Sequence, residues 1–151
     1  MLIYIVEDDD LKLEKLNNFL LSALPNHQYK IGGSFQSGLR LIENESPDLV
    51  ILDMTLPTFD RAPNAREGRP RPLGGYDLLR KLQLRNIETK VIVLTQLVSF
   101  GEDSKKVSFD EITERCRVEF PNLFIDSVYF DQGDISWQIS LLDLISKINN
   151  A

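Results

Sequence analysis

Three apolar runs, each closing on a polar side chain, constrain this chain more than any other feature. "LIYIV" (Leu2–Val6) runs into the acids Glu7, Asp8, Asp9 and Asp10, "DLVILD" closes on Asp53, and "KVIVLT" closes on Thr95. Short runs without polar alternation suit strands buried on both faces, as in a parallel sheet covered by helices. Between them lie segments with helical periodicity. Leu13, Leu16, Leu20 and Leu24 repeat behind a candidate N-cap at Asp9 or Asp10, with Pro25 just beyond. Leu39, Leu41 and Ile42 form a shorter stripe before Pro47, and Leu78, Leu79 and Leu82 follow Gly75. Ser108 and Glu111 have capping-box spacing ahead of Ile112, Cys116 and Phe120. Trp137, Leu141, Leu144, Ile145 and Ile148 mark a last helix. Weaker strands are expected over Gln28–Phe35 and Asp126–Asp131. Five strands alternating with five helices predict an α/β sandwich around a parallel sheet.

The 151 residues suit one compact domain over 1–151, with no second domain and no output domain expected. A formal charge of −6 argues against broad electrostatic binding to nucleic acid, so no direct nucleic-acid partner is expected. No apolar run is long enough to span a bilayer and no secretory leader is visible, which points to a cytoplasmic setting without membrane attachment. The single Cys116 has no partner for an internal disulfide. Residues 58–73, "TFDRAPNAREGRPRPL", carry four Arg against two acids and three Pro. A solvated loop insertion is the simpler reading; a basic, partly polyproline-like arm for a partner or anion is the sharper one.

In a parallel sheet the carboxyl ends of the strands share one edge, where ligands bind. Glu7, Asp8, Asp53 and Thr95 are delivered to that edge. Carboxylates there can converge on one hard cation, and Mg²⁺ suits an all-oxygen set with no His or Cys beside it. "YIVEDD", "LVILDMTLP" and "VIVLT", in this order and spacing, resemble the receiver domain of two-component response regulators across nearly the whole chain. The resemblance implies a flavodoxin-like (βα)5 fold with a five-stranded sheet of order 2-1-3-4-5. It implies Asp53 as the phosphoacceptor, taking a phosphoryl group from a kinase phosphohistidine. Glu7, Asp8, Asp53 and the backbone carbonyl of Thr55 would hold Mg²⁺, and Thr95 would be the switch hydroxyl; Pro57 matches the family's proline. Such a protein is a signalling switch rather than an enzyme. Its partners would be a sensor histidine kinase or phosphotransfer protein and an unknown downstream protein, with room for a homodimer.

One position breaks the pattern. Receivers carry a Lys at the end of the fifth strand, and "VYFDQG" places Asp131 on or beside that position, with Gln132 following. Losing such an ammonium 4 Å from a carboxylate forfeits about 4 kcal/mol at an effective dielectric near 20, before screening. Asp131 has a simpler use, pointing to solvent and capping the next helix. Substitute cations are sought in the loops: Lys105 and Lys106 after Thr95, and Arg61, Arg66, Arg69 and Arg71 in the insertion. Gln96 is larger than the residue the family has after Thr95, and Phe100 is either a partner anchor or packed under its loop. A receiver phosphorylated on Asp53 is the leading reading, and a pseudo-receiver that binds partners without a phosphorylation cycle is the alternative. A phosphohydrolase would need an acid where Thr55 stands, and a dinucleotide or flavin fold would need a Gly-rich loop after the first strand.

Overall fold

The structure is a computed structural model that describes residues 1–60, 71–101 and 106–149. Five strands form one parallel sheet: β1 (Leu2–Val6), β2 (Gln28–Gly32), β3 (Leu49–Leu52), β4 (Lys90–Thr95) and β7 (Phe124–Tyr129). Their spatial order is β2-β1-β3-β4-β7, the flavodoxin-like 2-1-3-4-5 with β7 as the fifth sheet strand. The strands β5 (Ser99–Phe100) and β6 (Val107–Ser108) form a separate antiparallel pair where only a lengthened loop is expected from the sequence. Phe100, at its base, is buried in the main core, which decides for packing under the loop over a partner anchor.

The helices α1 (Asp10–Ala23), α2 (Phe35–Asn44), α3 (Gly74–Leu84), α4 (Phe109–Glu119) and α5 (Ser136–Asn149) cover both faces. Strand side chains alternate between the faces. Ile3, Ile5, Ile51, Ile92, Leu94 and Phe130 pack with Leu16 and Leu20 of α1 and Trp137, Leu141 and Ile145 of α5. Tyr4, Val6, Val50, Leu52 and Val93 face the opposite cluster, with Leu39 and Ile42 of α2, Leu78 and Leu82 of α3, and Ile112 and Cys116 of α4.

Two strand ends differ from expectation. β2 stops at Gly32 because Ser34 and Ser37 form a reciprocal capping box that commits Phe35 to α2. β7 begins at Phe124, paired opposite Val91, and an irregularity between Val91 and Ile92 brings Ile92 opposite Asp126. The strand is therefore complete at Tyr129, and Asp131 lies beyond it.

The limbs of the insertion are pinned. Phe35 and Gln36, in the first turn of α2, donate to the carbonyls of Pro57 (2.9 Å) and Thr58 (3.0 Å), and the Ser37 hydroxyl donates to Asp60 at 2.7 Å. On the returning limb, Leu56 and Arg71 exchange backbone hydrogen bonds of 3.1 and 2.7 Å. The chain then enters α3 at Gly74–Gly75. The Gly75 amide donates to Met54 O at 2.8 Å. A Cβ on Gly75 would run into the Asp53 carbonyl oxygen and stand 2.9 Å from Met54 Cα, so only glycine lets α3 seat against the turn after β3. Gly75→Ala is expected to destabilise the fold by about 1–3 kcal/mol through this overlap, read as a lower urea midpoint with an unchanged denaturant slope.

Candidate functional site at the carboxyl edge of the sheet

β1 and β3 are hydrogen-bonded neighbours, so their carboxyl ends deliver Glu7 and Asp53 to the same place. The Asp53 amide still donates to Val6 O at 3.0 Å. The chain turns after Val6, and Glu7 Oε2 stabilises that turn by accepting the amides of Asp8 (3.0 Å) and Asp9 (3.1 Å). Asp9 caps α1, its Oδ1 accepting from Leu11 (3.0 Å) and Lys12 (3.3 Å), as its place before the leucine stripe suggests. Asp53 Oδ1 accepts its neighbour's amide, Met54 N, at 2.8 Å. Glu7, Asp8 and Asp53 each offer an oxygen within 4.8 Å of the others, the one such convergence among the described residues. They line a cleft of about 300 Å³ together with Asp9, Asp10, Thr55, Gln96 and Leu97. A larger hollow of about 760 Å³ lies at the opposite edge, around Ile87–Lys90 and Pro121–Leu123.

Among the described residues, the cation beside these acids is neither Arg71 nor Lys106. It is Lys12, in the first turn of α1, with a side chain only 1 % exposed. Its Nζ pairs with Glu7 Oε1, lies 3.5 Å from Asp53 Oδ1, and donates to Leu94 O at 2.6 Å. The Phe130 ring closes the site, its centroid 5.8 Å from Nζ. The helical signal was present in the sequence: Lys12, Leu16 and Leu20 fall at i, i+4 and i+8, so the stripe that buries the two leucines also buries Lys12.

Other expected residues lie as follows. Thr95 is buried at the end of β4, and its hydroxyl accepts from Leu97 N at 3.4 Å. Thr55 lines the cleft, with its hydroxyl donating to Pro72 O at 3.2 Å. Gln96 reaches over the cleft to Asp9 Oδ2 at 3.4 Å. Asp131 is exposed and accepts from Gly133 N at 2.9 Å, holding the turn ahead of α5, while Asp134 takes the amides of Ile135 (2.6 Å) and Ser136 (3.0 Å). Arg71 is committed elsewhere, to Asp77 at 2.6 Å and to the face of Phe35 at 4.5 Å, and Lys106 is exposed. Arg61, Arg66, Arg69 and Lys105 lie outside the described residues.

Burial, and then the neighbouring Asp53 charge, push the Glu7 carboxyl up to about 8 against the opposing pull of Lys12. The donor set, three carboxylates without a His or Cys, fits a hard divalent cation rather than a soft one.

A parallel sheet of this order carrying three acids at its carboxyl edge defines a receiver-like domain. Solved structures agree on the fold. A CheY-like response regulator receiver domain from Methanospirillum hungatei superimposes with a TM-score of 0.62 at 21 % identity, covering 99 % of this chain and 94 % of that one. The response regulator TrrA of Thermotoga maritima, solved in complex with Mg²⁺–BeF, gives 0.60 at 15 % identity, with 97 % of each chain covered. Among curated relatives, the Detocs response regulatory protein DtcB of Enterobacter cloacae is 32 % identical over 102 residues, 67 % of this chain and 68 % of that protein. The DtcB of Vibrio alginolyticus is 27 % identical over 152 residues, 97 % of this chain and all of that one. No family model matches the chain. The chain belongs to the response regulator receiver family. Among the described residues no helix is long and apolar enough to cross a membrane.

The raised Glu7 carboxyl makes stability depend on pH. Between its ordinary value of 4.5 and about 8 the folded state holds a proton that the unfolded state has released, so this group's contribution to stability falls as pH rises through that window. In metal-free buffer, Glu7→Gln is expected to gain stability relative to wild type from pH 5 to pH 8. Urea unfolding of the two proteins at several pH values checks this; a pH-independent difference would contradict it.

Proposed function

We propose that this chain is a receiver whose Asp53 accepts a phosphoryl group and whose altered charge is read by a partner protein. The observation that carries the reading is the convergence of Glu7, Asp8 and Asp53 within 4.8 Å at the edge of an open cleft. Asp53 is the nucleophile. A carboxylate oxygen attacks the phosphorus of a phosphohistidine on a sensor kinase or phosphotransfer protein. The new O–P bond forms as the N–P bond breaks, and the electron pair leaves with the imidazole. Glu7, Asp8, Asp53 and the Thr55 carbonyl would hold Mg²⁺. The ion would offset charge between the anionic acceptor and the anionic phosphoryl group. The Mg²⁺–BeF complex of TrrA and the response-regulator names of the DtcB relatives support the reading by likeness.

Thr95 is the switch hydroxyl of this proposal. Its present bond from Leu97 N, at 3.4 Å, is long and easily given up. Turning towards a phosphoryl oxygen would release the Leu97 amide and loosen the start of the segment that leads into β5.

The alternative, an interaction module without phosphorylation, draws on the exposed Asp131 where a lysine is expected. One experiment separates the two: intact-protein mass spectrometry after incubation with acetyl phosphate and Mg²⁺. The expected outcome is a single phosphoryl adduct on wild type that is absent from Asp53→Asn and is suppressed by chelator. No adduct on wild type would favour the interaction module.

A further inference from the structure

A lysine four residues before Leu16 on a buried helical stripe stands where an apolar side chain would pack more cheaply. Burying an ammonium is costly unless it is paired and hydrogen-bonded. Lys12 meets that condition: its Nζ pairs with Glu7 Oε1, lies 3.5 Å from Asp53 Oδ1 and donates a hydrogen bond to Leu94 O. The arrangement also singles out one carboxylate oxygen. Both Lys12 Nζ, at 3.5 Å, and Met54 N, at 2.8 Å, address Asp53 Oδ1, so Oδ2 is the oxygen that neither holds.

We propose that Lys12 is the positioning cation of this receiver: it fixes Asp53 by Oδ1, leaves Oδ2 to react, and offsets the charge added there. It takes up from α1 the task of the missing strand-end lysine. The inference rests on the reading of Asp53 as phosphoacceptor. Charge balance supports it independently of the resemblance. Three carboxyl groups crowd within 4.8 Å of one another there, and Lys12 is the positive side chain that the described residues place among them. Neighbouring residues fit the relocation. Phe130, buried against Trp137, fills the volume beside the ammonium. Asp131, next to it, turns away to its own loop at Gly133. Neither of the described alternative cations competes: Arg71 is held by Asp77, and Lys106 is exposed.

The test compares wild type with Lys12→Met, which fits the stripe without charge, and Lys12→Gln, which stays polar without charge. Three quantities are read: the rate of labelling by acetyl phosphate with Mg²⁺, Mg²⁺ affinity of the unphosphorylated protein by calorimetry, and the melting temperature. Removing a preorganised charge contact to the reacting carboxylate is expected to slow labelling about a hundredfold. Mg²⁺ affinity is expected to hold or tighten, because a competing cation has left the cluster. A merely structural lysine would lower both together. Labelling at the wild-type rate in either folded variant would overturn the inference. So would a parallel loss of labelling and Mg²⁺ affinity, or unfolding of both variants. A wild type that takes no label would overturn the acceptor reading itself and this inference with it. That outcome is distinct, because failure of the Lys12 assignment alone leaves the wild type labelled.

Discussion

Glu7 and Asp53 end adjacent strands whose register, Val6 opposite Leu52, leaves no freedom to hold them apart. With Asp8 they place carboxylate oxygens within 4.8 Å at an edge only partly open to water. Charges this close repel strongly where water screens them poorly. The buried ammonium of Lys12 offsets part of that repulsion, and burial, which favours the protonated Glu7 carboxyl, relieves more of it. Lys12 also ties α1 to two strands at once, through Glu7 after β1 and through Leu94 of β4. Losing one partner of a buried, hydrogen-bonded ion pair typically costs roughly 3–5 kcal/mol, so the same contacts serve the fold and the site.

Around this pair the chain is fitted closely on every side. Asp9 caps α1 and thereby aims its first turn, the turn that carries Lys12, at the cleft. Gly75 lets α3 approach the backbone of Asp53 and Met54. Gln96 crosses to Asp9 from the end of β4. The Asp53 carboxylate is thus set by backbone contacts on one side and by a buried charge on the other. Preorganisation of this kind is what phosphoryl transfer asks of a protein.

Much of this was legible in the sequence. Leu2–Val6 and Lys90–Thr95 are strands with those bounds, and "DLVILD" differs by one residue at each end. Apolar runs of this kind have one good solution, a central parallel strand. The carboxylate cluster followed from strand polarity alone. The cation did not, because a lysine reads as polar and was sought in loops, although its spacing from Leu16 and Leu20 places it inside. The β5–β6 pair also escaped notice. Two-residue strands carry no periodicity that would announce them, although packing of Phe100 under its loop was an expected alternative. β2 is shorter than expected because Ser34 and Ser37, three residues apart, form a cap that takes Phe35 into α2.

The clamp between Leu56 and Arg71 has a consequence for how this chain can diverge. Two backbone hydrogen bonds close the insertion at its base, and the departing limb is fastened again to the start of α2. The intervening segment is then a closed loop whose ends are fixed by other parts of the molecule. Closure entropy grows only logarithmically, by about 0.6 kcal/mol for each doubling of length. By closure entropy alone, lengthening the segment between the two anchors therefore costs the fold little. The length of the insertion is thereby uncoupled from the two anchors that hold its limbs.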